Sequence, residues 1–357
     1  MKEICVIMTG AGAPGARGTE YAMREGARRQ GVRLRIVGID RNPNVAARGF
    51  CDAIRVVPSP LSPNYASELA VICRDEGAQI VVPQTTAEIE WLSAHGTELA
   101  DVKVLVNSRY SIDLANNKIA TVRVFAELGL GVPQMFETNT SEEFTEACHD
   151  LGYPDVPVVV KMPISNGMRG LRILRREPWT FERFVAEKPD GTECTFEQML
   201  QILEAAPEWP VLMVSEYLDG DEYSVDCYRG RSGAIALPRR RDVIRTGISF
   251  ATTLERREDM IRASLTAGER MGLHGVFGFQ YKLRLDGYPM ILECNPRVQG
   301  TMIASLATGN NIIWAAVTDL LPDQLESVSM NLDWEGGRCL RYWGALVEDG
   351  SGELILV

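Results

Sequence analysis

Strands and helices alternate along the first third of this chain, and that alternation restricts its fold more than any other feature. Apolar runs typical of buried strands lie at residues 4–9 and 34–39, with an amphipathic stretch at residues 19–30 between them. This order predicts βαβ units around a parallel sheet. The other elements predicted here are a helix at residues 67–76 and strands at residues 79–82 and 102–106.

The rest of the chain reads as two further lobes, because 357 residues fit two or three domains. A helix at residues 116–128 ends at Gly129, and helical and strand patterns then mix up to about residue 206. A second set of strands follows. The predicted fold class is α/β with α+β lobes, divided into domains at residues 1–115, 116–206 and 207–357. Helices are also predicted at residues 301–306 and 312–321, and tail strands near residues 339–347 and 353–357.

Charge and cysteine usage exclude several classes of function. The net charge of -11 argues against a nucleic-acid partner, since a phosphate-binding face needs clustered positive charge. The eight cysteines are scattered without a C-x-x-C pair, which disfavours a zinc site or a disulfide framework. No apolar run reaches the roughly 18 residues of a membrane span, and the first residues read as a strand rather than a signal peptide. We therefore expect a cytoplasmic protein without a membrane partner.

The segment at residues 278–301 predicts an antiparallel hairpin that carries metal-binding groups. The turn falls at Asp286-Gly287, and Glu293 and Asn295 point to one face because they are two residues apart. The return of the chain can bring Gln280 beside them. Oxygen ligands of this kind suit Mg²⁺ or Mn²⁺ held together with nucleotide phosphates. Arg297 follows directly and can hold a phosphoryl group as a planar fork.

Two lysines are candidates for phosphate contact. Lys118 stands at the start of a helix, and Lys161 ends the β-branched run at residues 158–160. A lone lysine is usually a solvated charge, but one that ends a buried strand must point at a partner or strain the core. A loop that contains Gly167 and Gly170 follows, and such loops can close over phosphates.

A glycine pattern near the start leaves a different class of protein open. Gly10, Gly12 and Gly15 fit G-x-G-x-x-G after the first strand, and Asp40 ends the second strand, as in NAD-binding proteins. The loop is longer than that fingerprint expects, because Pro14 is followed by further non-helical residues. An NAD-dependent oxidoreductase stays a weaker alternative.

Taken in order, these motifs resemble the ATP-grasp superfamily, most closely the large subunit of carbamoyl phosphate synthase and its single-copy relatives. The resemblance runs from about residue 116 to about residue 313, and more loosely from the first residue. It implies an N-terminal Rossmann-like domain that does not bind NAD, followed by a two-lobed ATP-grasp fold with the nucleotide between the lobes. It also implies ATP and Mg²⁺ (or Mn²⁺) as cofactors.

The resemblance also assigns roles. Gln280, Glu293 and Asn295 would hold the magnesium ions, and Arg297 would contact the γ-phosphate or an acyl phosphate. Met168 and Arg169 depart from the family's glycine-rich loop, although Arg169 could add charge. The other implied nucleotide contacts are Lys118 and Lys161 on the phosphates, Asn166, Gly167 and Gly170 in the loop, Glu216, Tyr217 and Leu218 at an adenine hinge, and Glu222 on the ribose.

Basic residues at 239–241 and 245 form a cluster in an otherwise acidic chain. Such clusters are usually solvated, but alternation along a strand would place Arg239 and Arg241 on one face. We predict that Arg241 contacts the substrate or the γ-phosphate. Whether residues 239–245 as a group, or residues 12–17 of the glycine loop, contact substrate is left open.

No histidine, serine or cysteine stands in a recognisable nucleophile motif. ATP-grasp chemistry does not need one, because a substrate carboxylate can attack the γ-phosphate itself. The resemblance thus implies an ATP-dependent ligase that joins a small carboxylate to an amine through an acyl phosphate, with a homodimer as the expected assembly. Alternatives are phosphorylation of bicarbonate or carbamate, and a nucleotide-binding regulatory protein without turnover.

Overall fold

The computed structural model describes residues 3–99, 101–165, 167–177, 179–188, 191–342 and 344–356. Its strands form one five-stranded parallel sheet, a second five-stranded sheet, a six-stranded sheet and one separate hairpin. None of the helices in this described part of the chain has the length and apolar character needed to cross a bilayer.

The first domain is the predicted βαβ unit with a parallel sheet. Its strands run in the order β3-β2-β1-β4-β5, and the central strands β1 and β4 are almost entirely buried, as expected for a sheet that is covered on both faces. The elements are β1 (Glu3–Met8), α1 (Ala16–Arg29), β2 (Arg33–Asp40), β3 (Ala53–Val56), α2 (Tyr65–Asp75), β4 (Ile80–Val82), α3 (Thr86–His95) and β5 (Lys103–Val104).

The small lobe contains a sheet in the order β6-β10-β7-β8-β9. Strand β10 pairs with β6 and β7, so the structure corrects its assignment to the second lobe: the crossing between lobes falls after Glu216 and not at residue 206. The elements are α4 (Arg109–Asn116), α5 (Lys118–Glu127), β6 (Met135–Thr138), α6 (Ser141–Asp150), β7 (Val158–Lys161), β8 (Leu171–Leu174), α7 (Phe181–Ala186), β9 (Glu193–Cys194), α8 (Phe196–Glu204) and β10 (Leu212–Glu216).

The second lobe is built on an antiparallel sheet in the order β15-β14-β11-β12-β13-β16. The helix predicted at residues 301–306 is a 3₁₀ helix, Met302–Thr308, followed by Gly309 in the left-handed conformation. The elements are β11 (Glu222–Gly230), β12 (Gly233–Arg245), β13 (Ile248–Leu254), α9 (Glu258–Arg270), β14 (Gly275–Leu283), β15 (Pro289–Asn295), α10 (Ile312–Leu320) and β16 (Gly337–Leu340).

The tail forms two structures where one strand was predicted near residues 339–347. Strand β16 joins the second-lobe sheet, whereas β17 (Leu346–Glu348) and β18 (Leu354–Leu356) pair as a hairpin that lies against the first domain. Arg48 and Glu348 form an ion pair at 2.6 Å across that contact.

The hydrophobic cores show how the domains are held together. The first domain and the second lobe share one core, in which α1 and α10 pack between the two sheets and Trp314 lies against Gly26. One face of the small-lobe sheet has a core of its own around Phe144, Val160 and Leu212. A further core joins α5 and β10 to strands β11, β14 and β15 of the second lobe. The small lobe is therefore held to the second lobe through α5, while the other face of its sheet packs separately.

Candidate active site

A cavity of about 860 Å³ opens where the three parts of the chain meet. The carboxyl ends of the parallel strands line one side, which is where ligands bind in open α/β sheets. The small lobe and the second lobe line the other sides. The lining residues used below are Pro14, Gly15 and Asp40 from the first domain, Lys118, Lys161, Ser165, Gly167, Met168 and Arg169 from the small lobe, and Glu222, Arg239, Arg241, Gly247, Ser249, Gln280, Glu293, Asn295, Arg297 and Gln299 from the second lobe.

The three predicted metal ligands lie together on the hairpin of β14 and β15. Gln280 is paired directly with Glu293, which confirms the predicted juxtaposition. The Asn295 side-chain amide donates to Glu293 Oε1 at 3.0 Å. Cys294, between them, is buried, and burial raises the pKa of its thiol well above the usual value.

This set of donors fits a hard divalent cation. Gln280, Glu293 and Asn295 all offer oxygen atoms, which suit Mg²⁺ or Mn²⁺ better than a softer metal. Within the described residues, no group of three His, Cys, Asp or Glu side chains is placed to hold a metal. A site on this hairpin would thus depend on its two amide oxygens together with Glu293.

Lys118 and Lys161 are both buried at the edge of the cavity. The Lys118 ammonium donates to the backbone carbonyl of Ser165 at 3.0 Å and lies 3.9 Å from Glu293 Oε2. Burial lowers the pKa of Lys118, and it lowers the pKa of Lys161 to about 8, while the Glu293 charge partly opposes both shifts. Two desolvated ammonium groups beside one carboxylate form a site that an anion would stabilise.

The lowered pKa of Lys161 predicts a pH-dependent affinity for MgATP. The free protein loses the Lys161 proton as pH rises through about 8, whereas bound phosphates favour the charged form. Binding above that pH should therefore take up a proton, and affinity should fall by up to about tenfold per pH unit. Calorimetric titrations at about pH 7 and about pH 9, in buffers of different ionisation enthalpy, measure this uptake. Lys161→Met should abolish the proton uptake; an unchanged uptake would assign it to another group.

The arginines of β12 share a face, as predicted, but differ in what they contact. Arg239 and Arg241 both donate to the Ser249 hydroxyl, at 3.3 and 2.9 Å. Arg239 forms a buried two-point ion pair with Asp226, at 2.7 and 3.3 Å. Because Arg239 is held by this buried ion pair, it serves the fold, and the predicted substrate contact depends on Arg241.

Arg241 lies between the predicted ribose and metal ligands. It forms an ion pair with Glu222, and it also donates to Gln280 Oε1 at 3.3 Å and to the Gly247 carbonyl at 2.5 Å. Burial lowers the pKa of Arg241, against the opposing charge of Glu222. Glu222 is thus neutralised by Arg241 in this structure and faces the cavity beside Gln280.

Arg297 stands shortly after the β14–β15 hairpin that carries the predicted metal ligands, called the metal hairpin below. It donates to the Val298 carbonyl at 3.0 Å and to Asn295 Oδ1 at 3.4 Å, and its buried Nε has no hydrogen-bond partner among the described residues. Desolvation lowers the pKa of its guanidinium, while Glu293 opposes the shift. An under-satisfied guanidinium that lines a cavity favours an anionic ligand.

The loop after Lys161 adopts the conformation that glycine favours. Gly167, Met168 and Gly170 all have positive φ, at 61°, 62° and 68°. The Met162 N–H donates to the Gly170 carbonyl at 2.8 Å and closes the base of the loop. Asn166, another predicted nucleotide contact, lies outside the described residues.

The predicted adenine hinge lies apart from the residues that line the cavity. The Glu216 carboxylate accepts from the Gln134 N–H at 2.8 Å, and Leu218 is buried. Tyr217 lies within reach of two cations, with Arg175 at 5.1 Å and Lys282 at 5.3 Å from its ring centre. The structure thus groups the predicted metal and phosphate residues in one cavity, and the three hinge residues are not part of its lining.

The glycine loop of the first domain is shorter than predicted, because α1 begins at Ala16, directly after Gly15. The loop nevertheless packs against protein where a dinucleotide would sit. A Cβ on Gly15, at the start of α1, would lie 2.7 Å from Gly300 Cα, so the second lobe covers the helix N-terminus that binds pyrophosphate in NAD proteins. Asp40 accepts from the Gly12 N–H at 2.8 Å. These contacts argue against the NAD interpretation.

Sequence reasoning missed three polar residues at this site. Ser249 links the two arginines, and the buried amide of Gln299 has an Nε2 without a partner among the described residues. Arg341 joins the glycine loop to the segment that follows β15, since it donates to the Pro14 carbonyl at 3.0 Å and also to the Gly300 carbonyl. None of the three belongs to a recognisable motif. Only for Gln299 did the sequence offer a signal, namely its position two residues after Arg297.

Comparison with protein families finds matches to two parts of the chain. Residues 208–335 match the family described as "ATP-grasp in the biosynthetic pathway with Ter operon", and residues 6–106 match the "PylC-like, N-terminal domain". The chain therefore carries a PylC-like N-terminal domain followed by an ATP-grasp domain, and it is homologous to the carbamoyl phosphate synthase large chain.

The relatives share the fold at low identity. The carbamoyl phosphate synthase large chain of Rubrobacter xylanophilus is 27% identical over 300 residues, which cover 82% of this chain but only 27% of that protein. The ADP complex of purK, N5-carboxyaminoimidazole ribonucleotide synthetase, aligns with a TM-score of 0.66 at 17% identity and covers 93% of this chain and 79% of its own.

A third similar structure contains bound ligands. The biotin carboxylase domain dimer of Hydrogenobacter thermophilus 2-oxoglutarate carboxylase, in complex with MgADP, ADP and bicarbonate, has a TM-score of 0.67 at 15% identity. It covers 91% of this chain and 71% of that chain. At such identities the two structures establish the fold of this protein.

Proposed function

We propose that this protein is an ATP-dependent ligase that activates a carboxylate as an acyl phosphate and joins it to an amine, releasing ADP and phosphate. The observation that carries the proposal is the composition of one cavity: Lys118, Lys161, Arg241 and Arg297 face the oxygen donors of the β14–β15 hairpin. Cations opposite metal ligands of this type suit the positioning and neutralisation of transferring phosphates.

In this proposal Gln280, Glu293 and Asn295 hold Mg²⁺ on the nucleotide phosphates, and Mn²⁺ would fit the same oxygens. A magnesium ion held there would neutralise charge on the phosphates. The MgADP in the biotin carboxylase neighbour supports this assignment.

Lys118 and Lys161 neutralise the phosphates, and Arg297 and Arg241 neutralise the moving γ-phosphoryl group. The substrate carboxylate oxygen bonds to the γ-phosphorus while the bond to the β-phosphate oxygen breaks, which gives an acyl phosphate and ADP. The amine then bonds to the acyl carbon and inorganic phosphate leaves. The protein needs no covalent nucleophile, because orientation and charge neutralisation carry both steps.

The remaining assignments complete the nucleotide site. We assign the backbone of Glu216 and Leu218 to the adenine edge, Tyr217 to the same hinge, and the loop of Gly167 and Gly170 to the phosphates. Glu222 is assigned to the ribose hydroxyls, which requires Arg241 to move from its present ion pair toward the phosphates. Small-molecule carboxylate and amine substrates follow from this chemistry, and a homodimer is part of the proposal.

Phosphorylation of bicarbonate or carbamate is a second candidate function. The match to the carbamoyl phosphate synthase large chain and the bicarbonate in the biotin carboxylase neighbour both favour it. Both candidates place a carboxylate-type oxygen on the γ-phosphorus, so they share every residue assigned above and differ in the acceptor.

Transfer of ¹⁸O from the carboxylate tests the proposal. Phosphate release from MgATP is first screened across carboxylic acids, amino acids, amines and bicarbonate, with product masses recorded. An acceptor labelled in its carboxylate should then pass one ¹⁸O atom to inorganic phosphate, because the attacking oxygen stays with the phosphate. Label in AMP, with release of pyrophosphate, would refute the acyl phosphate route. Label transfer with bicarbonate alone would select the second candidate.

A further inference from the structure

Two residues outside the glycines have a left-handed backbone among the residues that the structure describes. They are Met168, at φ 62°, and Thr246, at φ 48°. A side chain in this region carries a free-energy cost that glycine avoids, and it persists only where the surroundings impose it. Such outliers cluster at ligand clamps and switch regions.

The two outliers lie on different lobes, and Met168 meets Gly247, the residue after Thr246, across the cavity. Met168 is at the tip of the loop between β7 and β8 in the small lobe, and Thr246 precedes Gly247 in the turn between β12 and β13 of the second lobe. A Cβ on Gly247 would lie 3.3 Å from both Cγ and Sδ of Met168. The methionine side chain therefore rests on the backbone of the opposite turn.

Both tips are connected to cations of the phosphate site. Arg241 donates to the Gly247 carbonyl at 2.5 Å, and Lys118 donates to the Ser165 carbonyl at 3.0 Å, on the same loop as Met168. Displacement of either tip is therefore transmitted to a group that faces the cavity.

Met168 belongs to none of the hydrophobic cores of the two lobes, including the one through which α5 packs on the second lobe. Its contact with Gly247 at the mouth of the cavity can therefore open without disruption of a core. Methionine suits such a contact, because its flexible side chain adapts to an irregular surface. Glycine would adopt φ 62° without cost, so the strain at residue 168 is explained if the side chain is needed there.

We propose that Met168 and Gly247 form a latch, the contact of these two residues, that excludes water from the γ-phosphate and so determines whether the phosphoryl group passes to the substrate or to water. This inference rests on the proposed function. With the latch open, a water oxygen bonds to the γ-phosphorus, the bond to the β-phosphate oxygen breaks, and ADP, inorganic phosphate and one proton are released. Met168 is a specificity-determining residue in this scheme, since closure of such sites prevents hydrolysis.

Two glycine substitutions provide a matched test. Gly247→Ala adds a methyl group toward Met168 at a φ of 77°, whereas Gly77→Ala adds one at a φ of 61° with nothing within 4 Å. Both changes strain the backbone, but only the first acts on the latch. Met168→Gly removes the contact from the other side, and Met168→Leu retains an apolar side chain of similar volume.

Trypsin cleavage after Arg169, which is exposed beside Met168, reports opening without any need for turnover. Gly247→Ala and Met168→Gly should accelerate cleavage at Arg169 by about fivefold, because the open population governs proteolysis. Met168→Leu and Gly77→Ala should match the parent. Cleavage at the parental rate in Met168→Gly would overturn the latch, because glycine at residue 168 has no side chain to form the contact.

Phosphate release from MgATP without acceptor supplies the second readout. Gly247→Ala and Met168→Gly should release phosphate about fivefold faster than the parent, a gain that damage to the fold would not produce. Faster cleavage with unchanged phosphate release would overturn the water-excluding role. Faster cleavage with no phosphate release in any protein, the parent included, would support the contact and count against the proposed function instead.

Discussion

Glu293→Ala is expected to lower magnesium-dependent ATP turnover by at least about 10²-fold, the scale on which loss of one charge-stabilising group acts. Glu293 is the only carboxylate among the three predicted metal ligands, and Asn295 donates to it at 3.0 Å. Alanine removes the charge and the partner of that amide together. Phosphate release measured across a magnesium titration, with the best acceptor from the screen, gives the effect.

The controls separate the metal from the fold. Glu293→Gln keeps the shape and loses the charge, so it should share most of the defect. Glu258→Ala, an exposed position on α9, should retain the parental rate and melting temperature. Parental turnover with unchanged magnesium dependence in Glu293→Ala would remove the hairpin from the proposed metal site.

The same substitution links the metal hairpin to the lysines. The Glu293 charge raises the pKa of both Lys118 and Lys161 against the larger effect of burial. Its removal should therefore lower both values further, so that proton uptake on MgATP binding extends to lower pH. One carboxylate thus serves the predicted cation site and keeps the neighbouring ammonium groups charged.

Much of the hairpin could be predicted from its sequence, but its register could not. Near the turn, Leu283 pairs with Pro289 and Tyr281 with Ile291, and a regular continuation would place Gln280 opposite Leu292. A register irregularity between Gln280 and Tyr281 places Gln280 opposite Glu293 instead. Since a shift of one residue moves side chains to the other face, this bulge brings the predicted ligands together. The residue types around Gln280 do not indicate this bulge.

The arginine cluster shows a second limit. Strand alternation predicts that Arg239 and Arg241 share a face, and both reach Ser249. Their different roles depend on the side chains that face them: Asp226 of β11 pairs with Arg239, whereas Glu222 of β11 and Gln280 of β14 contact Arg241. The register between β11 and β12, and the position of β14 beside β11, decide these contacts, and the local sequence pattern indicates neither.

Long-range packing also accounts for the misplaced elements. Strand β10 joins the small-lobe sheet by pairing with β6 and β7. These partners lie far earlier in the chain, so the local pattern around β10 could not identify them. The glycine loop satisfied a local motif, yet Gly15 serves a close approach to Gly300. In both cases the residue pattern predicts the element correctly and leaves its partner undetermined, since the partner lies far along the chain.

Arg297→Ala is expected to lower phosphoryl transfer by about 10³-fold, the low end of the effect of an arginine that stabilises a transferring phosphoryl group. The Arg297 guanidinium lines the cavity beside Asn295, and its Nε is unpartnered among the described residues. MgATP affinity, measured as the ligand-induced rise in melting temperature, should change far less than turnover, because the contact strengthens as charge moves.

Arg297→Lys distinguishes geometry from charge at this position. The native side chain donates to Val298 and Asn295 through two different nitrogens, and a planar fork can do so while it presents another edge to the phosphate. An ammonium is a single point of charge and must give up one of these contacts to make another. We therefore expect turnover between those of Arg297→Ala and the parent. Full activity in Arg297→Lys would show that charge alone suffices, and the unpartnered Nε would then have no part in the reaction.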